Sequence, residues 1–148
     1  MKSSRRRARE FALQGLYQWQ LTRHTAADIL AQLSESNGFA KVDQGLLRTL
    51  LEGVIGDPAR LEAALTPMLD RKFAELSPIE RSLLMMGAFE LACQPETPYR
   101  VVINEAIELA KTFGGTDGHK FVNGVLDKLA HELRAAEVLE RSGARSPG

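Results

Sequence analysis

Five basic residues, Lys2, Arg5, Arg6, Arg7 and Arg9, fall within the first ten positions against a single acid, Glu10. The same stretch runs on into Phe11, Gln14, Tyr17 and Trp19. Arginine offers a charged fork that matches phosphate oxygens, an amide can pair with a base edge, and an exposed aromatic ring can stack on an unpaired base. On a helix advancing about 100° per residue, Tyr17 lies within roughly 20° of Arg6, and Gln14 within roughly 20° of Arg7. Arginines, amide and phenol therefore share one side, with the chemistry of a single-stranded RNA surface. The competing reading makes Arg5 to Arg9 a solvated arm and puts Tyr17 and Trp19 in the core. Against it, arginines in a first turn oppose the positive end of the helix dipole, a cost that a bound phosphate would relieve.

A second group, Thr116 to Asn123, gathers Asp117, Lys120, Phe121 and Asn123 at an expected helix start, where free backbone amides favour anions. Taken alone, Phe121 reads as core and His119 as an ordinary surface residue. Catalysis finds little to work with. His24, His119 and His131 are scattered, and no nucleophile motif accompanies them. Gly114 and Gly115 do not lead into Gly-Lys-Ser/Thr, so they end a helix and do not cradle a phosphate. Glu105 and Glu108 could imitate a carboxylate pair, but a solvated acidic face explains them more simply. No cofactor or metal is expected.

The elements that must carry these side chains are all helical. Ser3 or Ser4 caps a helix to about Thr22 with Ala8, Phe11, Ala12, Gly15, Leu16 and Trp19 as its apolar stripe. Thr25 with Asp28 opens a short second helix to about Leu33. Asp43 caps a third, which Gly56 ends, and Pro67 should kink or divide the fourth. Ser77, Pro78 and Glu80 start a fifth helix that is apolar nearly all round and belongs in the centre. Thr97 and Pro98 start a sixth, and Asp117 caps a seventh that carries Val122, Val125, Leu126, Leu129 and Leu133. The result is an all-α fold, a compact bundle of about seven helices in one domain over 1–141, with residues 142–148 as a frayed tail.

Composition agrees with a globular chain, with 148 residues, 44% hydrophobic and 26% charged. Nineteen basic and nineteen acidic residues balance to zero, so any nucleic-acid site must be local. The single cysteine, Cys93, excludes an intramolecular disulfide and fits a reducing cytoplasm. No apolar run approaches the about 18 residues of a membrane span.

The stretch Arg5-Arg6-Arg7-Ala8-Arg9-Glu10-Phe11-Ala12-Leu13-Gln14-Gly15-Leu16-Tyr17-Gln18 resembles the opening of the NusB family of bacterial transcription antitermination factors. Leu76-Ser77-Pro78-Ile79-Glu80-Arg81 resembles its central helix start, and Ile103-Asn104-Glu105-Ala106-Ile107-Glu108-Leu109-Ala110-Lys111 its next helix. Lys120-Phe121-Val122-Asn123-Gly124-Val125-Leu126-Asp127 completes the set, in the same order. The likeness spans residues 4 to 130. Gly118 departs from the pattern, where a small polar residue could cap the turn.

That resemblance implies two packed helical subdomains and a non-enzymatic RNA-binding protein of the cytoplasm. It would bind the boxA sequence of nascent ribosomal RNA as a heterodimer with NusE, a small-subunit ribosomal protein, within the RNA polymerase antitermination complex. Carried over by position, Arg5, Arg6, Arg7, Arg9, Gln14 and Tyr17 would contact RNA with Lys120, Phe121 and Asn123, bordered by Asp117. Glu80, Arg81, Leu84 and Tyr99 would face NusE. A homodimer of the free protein is left open, since dimerisation leaves no recognisable motif. An RNA cytosine methyltransferase, which carries a similar front domain, would need a catalytic domain for which the chain leaves no room. The other rival is a protein-only adaptor whose basic helix meets an acidic protein.

Overall fold

The structure is a computed structural model that describes residues 2–115 and 117–143. Eight α-helices make up its body: α1 (Ser4–Thr22), α2 (Ala26–Leu33), α3 (Gln44–Gly56), α4 (Pro58–Leu65), α5 (Pro78–Cys93), α6 (Tyr99–Phe113), α7 (Gly118–Leu133) and α8 (Ala135–Gly143). Short 3-10 turns lie at Phe39–Lys41, Thr66–Met68 and Phe73–Glu75. No strand occurs among the described residues. The expected all-α bundle is the architecture found, with one more helix than the sequence reading gave.

Most helix starts are set by the residues that chemistry singles out. The Ser3 hydroxyl accepts from the Arg6 amide at 3.1 Å, Thr25 from Asp28 at 3.1 Å, and Asp43 from Leu46 at 3.0 Å. At α5 the exchange is reciprocal: Ser77 Oγ accepts from the Glu80 amide, and Glu80 Oε1 accepts from the Ser77 amide. Pro67 falls in the 3-10 turn that follows α4, so the helix ends at Leu65 as its missing donor requires. Asp117 is different. Its side chain makes no cap, and its backbone carbonyl instead accepts from Lys120 and Phe121.

Helices α1 to α3 form one group and α4 to α8 the other, joined where α1 and α3 pack on α5. One continuous core runs through both. α5 occupies the centre, with Ser82 to Ala88 all buried. Close approach of α1 to its neighbours depends on Gly15, where a Cβ would lie 2.9 Å from both Ile29 Cγ2 and Leu51 Cδ2. That contact fixes α1 against α2 and α3 and so sets which side of α1 is left for solvent.

The helix that the sequence reading missed, α8, follows α7 after a break at Arg134. The buried Arg134 guanidinium donates to the carbonyls of Glu90, Leu91, Gln94 and Thr97 and to Glu137. It thus ties the end of α5, including the otherwise unpaired Leu91 carbonyl, to the connection that leads into α6. Glu137 accepts from the Tyr99 amide at the start of α6. α8 reaches Gly143, two residues into the expected tail, and 144–148 lie outside the described residues, as does Thr116.

Candidate nucleic-acid interface

The packing of α1 divides its basic residues into different environments. Arg5 is exposed, with Nη1 3.5 Å from Asp43 Oδ2. Arg6 is half-buried and donates from Nε and Nη2 to the two oxygens of Glu105, at 3.2 and 2.6 Å. Arg7 is half-buried and makes no ion pair among the described residues. Lys2 pairs with Glu10 at 2.6 Å.

Arg9 is a correction to the sequence reading. Only 3% of it is exposed, and it makes a bidentate pair with Glu90 of α5 at 3.0 and 2.8 Å. With Nη1 also 3.7 Å from Glu105, its fork is turned into the protein. It lies on the side of α1 that faces α5 and α6, so it belongs to the core polar network and is removed from the RNA-facing set. Burial alone would lower the pKa of its guanidinium, but the hydrogen bonds and charge of Glu90 outweigh that and hold it above the ordinary range. The Arg6 guanidinium is likewise raised, by its hydrogen bonds to Glu105 and then by that carboxylate's charge.

These pairs also answer the helix-dipole argument. Glu105 and Glu90 from α6 and α5, with Asp43 and Glu10, offset the positive charge gathered at the start of α1. The cost is relieved within the protein, without a bound phosphate. Glu105 is accordingly no solvated acid; its side chain is 13% exposed and lies under Arg6. The spacing of Glu105 and Glu108 could not show this, because the partners are almost a hundred residues away.

Further along α1 the rings and amides come together. Tyr17 is 39% exposed and Gln14 is exposed, and both line an open hollow of about 330 Å³ with Leu13, Gln18, Ile79 and Phe113. Trp19, by contrast, is buried. Phe113 was not identified from the sequence. Its spacing from Ala106 and Ala110 reads as core, but it is the last residue of α6 and its ring is left 41% exposed beside Tyr17.

The second patch lies at the start of α7. Lys120 is exposed and 3.6 Å from Asp117, and Asn123 is exposed. Phe121 is half-buried, and the exposed Arg71 guanidinium sits over its ring at 4.3 Å. Arg71 also pairs with Asp70 at 2.8 Å, which holds the Asp70 carboxyl below the usual range. Sequence reasoning missed Arg71, because the contact joins the α4–α5 connection to α7. A Cβ on Gly118 would lie 4.0 Å from Glu80 Oε2, which sets the start of α7 beside that of α5. Ile79, next to Glu80, lines the hollow with Tyr17. The start of α5 therefore links the two patches.

Of the residues expected to face a protein partner, Leu84 is fully buried and Tyr99 is 5% exposed, so neither presents a side chain to a partner. α5 is central, and at the start of α6 the Tyr99 amide donates to Glu137 of α8. Glu80 is occupied in the helix cap, and Arg81 donates to Gln20 and to the Ala74 carbonyl while staying partly accessible. Among the described residues no group of His, Cys, Asp and Glu could hold a metal ion. No helix there is long and apolar enough to cross a membrane.

The NusB family profile matches residues 6–131. The transcription antitermination protein NusB of Laribacter hongkongensis is 58% identical over 137 residues, covering 93% of this chain and 83% of that protein. Its counterpart in Burkholderia mallei is 57% identical over 143 residues, covering 97% and 99%. Among solved structures, that of T. maritima NusB superposes with a TM-score of 0.79 at 29% identity, covering 89% of this chain and 94% of that one.

Proposed function

Because the chain belongs to the NusB family, we propose that it acts in transcription antitermination by binding the boxA sequence of nascent ribosomal RNA together with NusE. It is a transcription antitermination factor and not an enzyme. In the RNA polymerase antitermination complex it would support processive transcription, in the cytoplasm, where nascent RNA is made.

The observation that carries the RNA reading is the hollow on α1, where the exposed rings of Tyr17 and Phe113 stand together beside the Gln14 and Gln18 amides. Two partly exposed rings lining one hollow with two amide side chains suit unpaired bases, which stack and expose their pairing edges to side chains. Arg7 lies two helical turns before Gln14 on the same side, so a strand passing from arginines to rings would meet charge first and stacking second. Arg5 and Arg6 flank the phosphate end. Lys120, Asn123 and the Phe121 ring with its Arg71 cover extend the track beyond the start of α5, with Asp117 on its border. Glu80 and Arg81 are the remaining candidates for the NusE contact.

The test is a fluorescence titration of a boxA-like RNA and a scrambled control, each with and without purified NusE, at fixed physiological salt. Tighter binding to boxA with NusE present supports the proposal. Equal, weak binding to both RNAs under every condition refutes it and leaves a helical adaptor for an acidic protein.

A further inference from the structure

The buried and half-buried ion pairs at the start of α1 are not equivalent. Arg9 has both edges of its bidentate demand met by Glu90, at 3.0 and 2.8 Å, and its contact with Glu105 is longer, at 3.7 Å. Glu90 thus supplies the hydrogen bonds of Arg9, and Glu105 adds only a longer charge contact at Nη1. Its two oxygens are spent on Arg6, whose side chain is 41% exposed. The carboxylate lies inside and the guanidinium outside. The two, with Lys2, Ser3, Arg5, Val101 and an edge of Arg9, line an open hollow of about 380 Å³.

On the RNA-binding reading given above, we propose that Glu105 is a built-in competitor for Arg6, holding that arginine in place while masking its charge from RNA phosphate. A phosphate arriving in the hollow meets the outer edge of a guanidinium already neutralised from within. It also approaches a fixed negative charge across one guanidinium width. Lys2 is paired with Glu10 and Arg5 lies in a looser, solvent-screened contact with Asp43, so Arg7 is left as the basic residue of this turn without a carboxylate partner among the described residues. Glu105 thus sets how much of the helix's positive charge is available to RNA. It keeps binding dependent on the base contacts of the neighbouring hollow, where charge alone would accept any strand.

The experiment is Glu105→Gln in the full chain, which keeps the shape and one of the two acceptors facing Arg6 and removes the charge. Affinity for a boxA-like single-stranded RNA and for a scrambled strand is measured by fluorescence anisotropy across a range of salt. The proposal expects binding to tighten by about 3- to 10-fold for both RNAs, and the slope of log K against log salt to steepen by about 0.7, as for one further phosphate neutralised. Glu105→Asp keeps the charge and should not tighten binding. In an Arg6→Ala background Glu105→Gln should give no gain, because the effect runs through Arg6. Unchanged or weaker binding by Glu105→Gln, or an equal gain without Arg6, overturns the competitor role. Arg7→Ala separates that failure from failure of the RNA reading. If Arg7→Ala weakens binding while Glu105→Gln does nothing, the competitor role falls and the RNA surface stands; if neither changes binding, both fall. A thermal melt of each variant confirms that the comparison is between folded proteins.

Discussion

Replacing Arg9 with methionine removes one half of a bidentate pair in which both side chains are at most 4% exposed. The methionine fills much of the arginine stem, so the loss is chiefly electrostatic: the Glu90 carboxylate stays in the core without its main partner. Breaking a buried pair from one side costs about 3–5 kcal/mol, because desolvation of the remaining charge is no longer offset. For a chain of this size that should lower the melting temperature by about 10 °C or more. The double variant Arg9→Met with Glu90→Met removes both charges, and buried pairs exchanged for apolar residues of similar volume are often near neutral. It should regain most of the loss. Thermal unfolding followed by circular dichroism, with both variants beside the parent, measures this directly. RNA affinity determined well below the melting temperature should stay close to that of the parent for the double variant. A single variant that melts within about 2 °C of the parent, or a double variant that folds well but has lost RNA binding, would refute the assignment of Arg9 to the core.

Other outcomes follow from the same geometry. Tyr17→Ala should weaken single-stranded RNA binding by about 1–3 kcal/mol with little change in its salt dependence, since a stacking surface and no charge is lost; anisotropy titrations at two salt concentrations check it. Gly15→Ala should destabilise the fold by about 1–3 kcal/mol, seen in urea unfolding, because the new Cβ lies 2.9 Å from Ile29 and Leu51. Burial would raise the Glu137 carboxyl, but the Tyr99 amide and Arg134 outweigh it and hold the carboxyl below its ordinary value. Its contribution is therefore present above the unfolded carboxylate range and lost as pH falls through the lower folded value. Glu137→Gln should reduce the loss of stability on acidification below about pH 4.5, measured by thermal melts from pH 7 to pH 3.

What the sequence made legible was local. Ser3, Asp43, Ser77 and Pro67 act within a few residues of themselves, so the start of α1, α3 and α5 and the end of α4 could be read directly from the chain. The apolar stripe of α1 was readable for the same reason, and Gly15 in that stripe is where α2 and α3 come closest. Arg9 was misplaced because five basic residues in one segment look alike until the partners are known. Its partners Glu90 and Glu105 lie 81 and 96 positions away. Arg71 on Phe121 and Phe113 beside Tyr17 were hidden by the same distance. α8 went unread as a separate helix because it is short, with Val138 as its buried apolar residue, and the break before it is set by Arg134, whose partners at the end of α5 and on the α5–α6 connection lie about 40 positions away.

The balance of charge in the whole chain, nineteen basic against nineteen acidic residues, is repeated in miniature at the start of α1. Lys2, Arg5, Arg6 and Arg9 each lie within 4 Å of a carboxylate. A segment that looks strongly cationic in sequence therefore presents a weak field in the fold, and counterion release cannot by itself hold RNA tightly. The chemistry left exposed is stacking and amide recognition at Tyr17, Phe113, Gln14 and Gln18, which suits unpaired bases and is indifferent to duplex. A binder built this way gains discrimination from the bases and leaves the shortfall in affinity to a second protein on the same strand. On the proposed function, a dependence on NusE would follow from the same ion pairs that hold α1 to α5 and α6: the carboxylates that stabilise the helix would be those that limit what it binds alone.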